Sequence, residues 1–244
     1  MASPVVATVA AVWFDSLDLG SDLTRIAVTQ GIQTVDDTTF GTAGGPVPVR
    51  SSALGLFQVG IAGDGYWSSG ADAVLHANRG IIDRPLTWSP DGADGGLAEF
   101  MLVSQGEYAV QRRIGEMLGF TFGAEARKRP LVRGTILAPL AIRTAGGNGV
   151  GRNLGAVAAA QSLYAVLHVT AFTGTTPSLS VIVQSAPAAD FVAPVTRATF
   201  TAATTVGSQY VVVPGPIADP WWRVAWTITG TGPSFRFAAA IGIQ

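Results

Sequence analysis

The sequence predicts a mainly β protein: an N-terminal β-sandwich or barrel carrying one short helix, followed by a C-terminal antiparallel β-sandwich. Three observations lead there. Apolar residues in the strand-like runs recur with period two, while a single short stretch carries helix signals. Thr173-Gly174-Thr175-Thr176-Pro177-Ser178 reappears as Thr229-Gly230-Thr231-Gly232-Pro233-Ser234, each copy set between β-branched apolar runs as a hairpin turn would be. Charged residues make up only 13% of the chain, with 30 glycines and 14 prolines among 244 residues, against ~25% charged in ordinary soluble domains.

Taken in order, Val5 to Phe14 reads as a strand and residues 17–21 as a turn. Leu23 to Val35 is a longer strand with β-branched Ile26, Val28, Ile32 and Val35. Residues 36–54 break the pattern with Asp36-Asp37, Gly44-Gly45, Pro46 and Pro48. A break of that length is long for a compact domain, and we expect an arm that orders against a neighbouring subunit. Phe57, Val59 and Ile61 then alternate with Gln58, Gly60 and Ala62. Ser69 with Asp72 has capping-box spacing, Ala71 to Arg79 holds good helix formers, and Gly80 supplies a stop. Pro85 to Ser89, Leu97 to Val110, Gly115 to Ala126 and Leu131 to Leu137 are strands. The third of these places Leu118, Phe120, Phe122 and Ala124 on one face.

The division follows from the glycine-rich run at Gly146–Gly151. Residues 1–143 form one β domain, 144–153 a linker, and 154–244 the C-terminal sandwich. In the last hairpin Trp222, Val224, Trp226 and Ile228 share a parity, as do Phe235, Phe237, Ala239 and Ile241, with Arg223 and Arg236 facing out. Residues 1–125 hold 14 acids and 6 arginines, a net −8; residues 126–244 hold 2 acids and 9 basic residues, a net +7. An acidic half joined to a basic half is read as distinct roles or opposite-charge docking.

Few residues suggest chemistry. His76 falls in the last turn of the helix, where a cation complements the dipole. His168 lies mid-strand, flanked by Leu167 and Val169, and is expected to be a buried histidine satisfied by a neighbour, in a strand buried on both faces or interrupted by a bulge. Neither has a ligand-spaced companion, and the chain has no cysteine, so no metal, catalytic or cofactor-binding residue is assigned. Gly146–Gly151 lacks the Lys-Ser/Thr of a phosphate cradle. Asp36-Asp37 and Asp91/Asp94 lie in turn-like contexts. Arg112-Arg113 and Arg127-Lys128-Arg129 are basic turns, and Trp221, of opposite parity to Trp222, would favour sugar binding if exposed. No run of ~20 apolar residues implies a membrane span, and Met1 to Ala11 lacks the basic region of a signal peptide.

The order Thr38-Thr39-Phe40-Gly41, Gly55-Leu56, Gly63-Asp64-Gly65-Tyr66-Trp67, the Asp72-Ala73-Val74-Leu75 helix and Gly115-Glu116 leading into Phe120-Thr121-Phe122 resembles the major tail tube proteins of long-tailed (siphovirus-like) bacteriophages. Leu167-His168-Val169, Val183-Gln184-Ser185, Thr199-Phe200-Thr201 and Trp221-Trp222-Arg223-Val224 are similar to the β-sandwich extension found on some of them. The resemblance implies a non-enzymatic virion protein that assembles with copies of itself in stacked, six-subunit rings and meets other tail proteins. The tube, built in the host cytoplasm, would eject DNA through its lumen without specific binding. Asp36, Asp37, Thr39, Phe40, Pro46 and Pro48 are then the expected subunit interface, and Glu99 and Glu107 the expected lumen acids. The competing expectation is a non-enzymatic β-sandwich module that binds carbohydrate or another surface.

Overall fold

The computed structural model describes residues 10–36, 52–126 and 131–244. Its N-terminal half comprises β1 (Ala11–Phe14), β2 (Leu17–Asp18), β3 (Leu23–Asp36), β4 (Ser52–Tyr66), α1 (Ser69–Asn78), β5 (Arg84–Ser89), β6 (Leu97–Gln111), β7 (Gly119–Ala126) and β8 (Val132–Arg143). The protein is mainly β with one helix, and every named strand pair is antiparallel.

β6 holds this half together. Its first part pairs with β5 and β8, and its second part pairs with β7. The ladder slips between Gln105 and Glu107, a bulge that turns the strand from one sheet into the other. Val12, Phe14, Leu86 and Met101 from one layer meet Val59, Ile61, Phe120 and Phe122 from the other, and Leu75 of α1 joins them. The helix starts one residue earlier than its sequence spacing suggests: the Ser68 hydroxyl accepts from the Ala71 amide, with Asp72 in the first turn and His76 in the last.

The C-terminal half contains β9 (Gly147–Asn148), β10 (Arg152–Asn153), β11 (Ser162–Ala186), β12 (Val195–Thr199), β13 (Gly207–Pro214) and β14 (Trp221–Ile243). Here the structure corrects the hairpin expectation. The two Thr-Gly repeats are not hairpin turns. β11 and β14 are continuous and pair along their whole length, from Leu163 opposite Ile243 to Ala186 opposite Trp221. The repeats face each other, Thr173 opposite Ser234 and Ser178 opposite Thr229. Both arms of the ribbon contribute to one core, Leu167 and Phe237 from one, Val181 and Val224 from the other. The repeats are therefore the corner at which a two-stranded ribbon folds over to make a sandwich. Gly174 at φ 113° and Gly230 at φ 123° take a backbone closed to other residues. A Cβ on Gly174 would sit 2.8 Å from the Gly232 carbonyl oxygen. An apolar run, a turn and a second apolar run describe a corner as well as a hairpin.

Residues 144–153, expected as a linker, lie against β14. Asn148 is opposite Ala225, Arg152 is opposite Trp222, and the Gly149 amide donates to the Val224 carbonyl at 2.7 Å. A Cβ on Gly149 would sit 2.2 Å from the Leu137 carbonyl oxygen, so glycine here serves close packing.

A third core lies between the two halves. β8 pairs with β6 on one side and with the end of β14 on the other, so the sheet runs on without interruption. Trp13, Phe100, Val132 and Ile136 pack there against Val166, Ala238 and Ala240. β1 thus points Trp13 one way and Val12 and Phe14 the other, while β11 divides Val166 from Leu167 in the same fashion. Alternation feeds two cores from a single strand.

Candidate functional site

β3 and β4 form a ribbon longer than the sheet that carries it. β7 pairs with β4 only over Gly60–Tyr66, whereas β3 and β4 stay paired out to Asp36 and Ser52. Among the described residues, β3 pairs with no strand but β4. The projecting part carries apolar side chains in water: Leu56 is 74% and Phe57 52% exposed, with Ile32, the cross-strand partner of Phe57, half exposed. An isolated two-stranded ribbon is marginally stable, and a bare strand edge invites pairing.

The outer face of β3, β4, β7 and β6 bears small residues and acids. Ile61 and Ala124 point into the core, which leaves Gly60, Ala62, Gly123 and Glu125 on the other side. With Ser104 and Glu107 they line a shallow groove of about 710 Å³. Glu107 and Glu125 supply its charge.

At the other end of β4 the chain presents a second apolar surface. The Trp67 amide donates to the Leu118 carbonyl at 2.9 Å, fixing the strand end to the connection between β6 and β7. Trp67, Val110, Ile114 and Leu118 line a depression of about 410 Å³ together with Arg112 and Arg113. Ile114 is fully exposed and Met117 is 71% exposed. The Tyr108 hydroxyl donates to Asp72 beneath this surface. That bond holds the carboxyl below its usual range, while burial first and the carboxylate second push the phenol up.

A cluster of buried polar groups sits at the junction. The Asp15 carbonyl can only accept, so His168 Nδ1–H donates to it at 2.8 Å. Nε2 is then the acceptor, and the Thr87 hydroxyl donates to it at 2.8 Å. The Asp15 carboxylate accepts from Ser208 at 2.7 Å and from Asn78 at 3.4 Å, and pairs with Arg84 at 3.5 Å. Burial holds the imidazole down at about 4, against the smaller upward pull of the Asp15 carbonyl bond. This histidine is a satisfied structural group in a strand buried on both faces. Opposite charges also meet across the junction, Asp18 with Arg236 at 2.7 Å and Asp94 with Arg152 at 2.9 Å.

On the sandwich, Ser185 donates to Asp219 at 2.7 Å and accepts from Arg197 at 2.7 Å. Arg197, then Ser185, hold the Asp219 carboxyl low. Ser185 is fully buried, and the cluster pins two strands and a loop. Among the described residues no three acids or histidines gather in a metal-holding group, and no helix is long and apolar enough to cross a membrane.

Of the expected interface residues, Asp36 is exposed at the end of β3. Asp37, Thr39, Phe40, Pro46 and Pro48 lie outside the described residues, as do Arg127, Lys128 and Arg129. Glu99 and Glu107 are not brought together. They lie on either side of the β6 bulge, Glu99 in the ladder between Trp88 and Arg133 and Glu107 opposite Gly123. Sequence reasoning passed over Glu125, although its parity opposite to Phe120, Phe122 and Ala124 put it on the outer face. Trp221 is half-buried.

Neither a family model nor a curated protein matches the chain. Among solved structures it is similar to a component of the virion of a native gene transfer agent particle, with 14% identity, 50% of this chain and 92% of that one covered, and a TM-score of 0.36. It is similar to the SPP1 tail tube at 11% identity, covering 53% and 78% with a TM-score of 0.40. A third likeness is to the SPP1 Dit protein, from the hub adsorption apparatus of phages infecting Gram-positive hosts, at 11% identity, covering 97% and 100% with a TM-score of 0.34. At such scores these likenesses assign neither a fold family nor a function.

Proposed function

We propose that this chain is a structural virion protein of a phage-type tail, which polymerises through residues 1–143 as stacked rings forming a tube for DNA ejection. The observation that carries this reading is the β3–β4 ribbon, a long edge unpaired among the described residues, with exposed Leu56 and Phe57. Such an element needs a neighbour to cover it, and the sequence resemblance supplies the six-subunit ring as its form. The outer face around Glu107 lines the lumen, where small residues and acids give phosphates little to grip and the cation on that face, Arg25, is paired with Asp64. Glu99 sits elsewhere on β6 and is left out of the lining. Residues 154–244 form an outer unit facing other tail proteins.

Electron microscopy of the purified chain, with light scattering, tests the reading. Rings or tubes are the expected result. A chain that stays monomeric at high concentration and binds glycans would replace it with a surface-binding module.

A further inference from the structure

The two exposed apolar surfaces lie at opposite ends of one strand. Phe57 lies in β4 and Trp67 just past its end, ten residues apart, about 30 Å at the usual strand rise. One end is a knob, a projecting ribbon whose two opposite faces carry exposed Leu56 and Phe57. The other is a depression walled by Trp67, Ile114 and Leu118. Their charges are opposite. Glu125 lines the same hollow as Phe57, whereas Arg112, Arg113 and Glu116 rim the depression and leave it net positive. The Arg113–Glu116 pair, 3.7 Å apart with both side chains well exposed, is weak enough to exchange partners.

We propose that the Leu56/Phe57 end of one copy seats in the Trp67/Ile114/Leu118 depression of the next, with Arg112 and Arg113 approaching Glu125 of that first copy. Unlike surfaces in contact give a heterologous, head-to-tail interface, which propagates as a ring or a filament rather than closing as a dimer. This contact rests on the self-assembly reading and specifies which surfaces meet. A knob matched to a knob would set Glu125 against Glu125 and leave the depression uncovered.

Two variants decide the matter, Leu56→Asp/Phe57→Asp and Ile114→Asp/Leu118→Asp. Their circular dichroism and melting should match the parent, since the substituted side chains reach solvent. Each variant keeps one working surface, so each alone should remain monomeric. Mixed in equal amounts they should form a dimer and nothing larger, because the intact depression of one accepts the intact knob of the other. Misfolded chains would not restore each other, which separates a folding defect from a lost contact. Growth of either variant alone into parent-like assemblies, or a mixture that stays monomeric, overturns the contact while leaving self-assembly standing. A parent chain that never associates overturns both.

Discussion

At the scale of single residues, Asp15 and His168 decide how the halves meet. Asp15 sits at φ 52°, a left-handed backbone that aspartate tolerates better than most residues. Its carbonyl and carboxylate then serve β11, β13, α1 and β5 at once. His168 is neutral in the folded chain, held down to about 4 by burial, whereas the unfolded chain protonates near 6.5. Between those values the unfolded state binds the extra proton. The histidine's contribution is therefore complete above pH 6.5 and is lost as pH falls toward 4, by about 3 kcal/mol in all. Urea titrations of the parent and of His168→Gln across that window should show a smaller pH slope for the variant. Equal slopes would mean that His168 does not carry the dependence.

At the scale of elements, the corner explains why the repeat exists. Two strands that turn together need the same backbone freedom at the same place, and the Thr-Gly copies supply it on both. Gly230→Ala places a methyl 3.0 Å from Pro177 Cα and from two carbonyl oxygens, at φ 123°. It should lower the unfolding free energy by about 1–3 kcal/mol. Gly70→Ala in the first turn of α1, with open space around it, should change little or stabilise by up to about 1 kcal/mol. Denaturant midpoints compare the two, and similar shifts in both would contradict a strained corner. These elements also mark what a sequence discloses. Strand positions, the helix and the Phe235–Ile241 face follow from local periodicity. Strand partners do not, because a ribbon corner and a hairpin share one pattern. The exposed knob was hidden for the same reason: Phe57, Val59 and Ile61 alternate as though all were covered, and only the short reach of β7 leaves the first of them in water.

At the scale of the whole molecule, the Gly-rich run does not separate independent cores. Leu137 and Ala138 of β8 belong to the core of the sandwich, and Ala238 and Ala240 of β14 pack on Trp13 and Phe100. A fragment of residues 131–244 keeps β8, and one of 154–244 loses it. The longer fragment should be more stable by more than about 2 kcal/mol, the cost of emptying a buried leucine site, and its thermal transition should be the sharper. Identical melting curves for the two would show that β8 adds nothing. The charge division also acquires a use, since the Asp18–Arg236 and Asp94–Arg152 pairs join the acidic half to the basic one.

The pairing of β8 with the end of β14 sets a timetable for synthesis. Thr135 waits for Ile241, and Arg143 for Phe235, so about 100 residues must follow before the ladder can close. At roughly 5–20 residues per second that is an interval on the order of 5–20 s. Throughout it Val132, Ile136 and Phe100 have no Ala238 or Ala240 to cover them. Through that interval the central core of the nascent chain stays open, and β14, when it emerges, completes the first half.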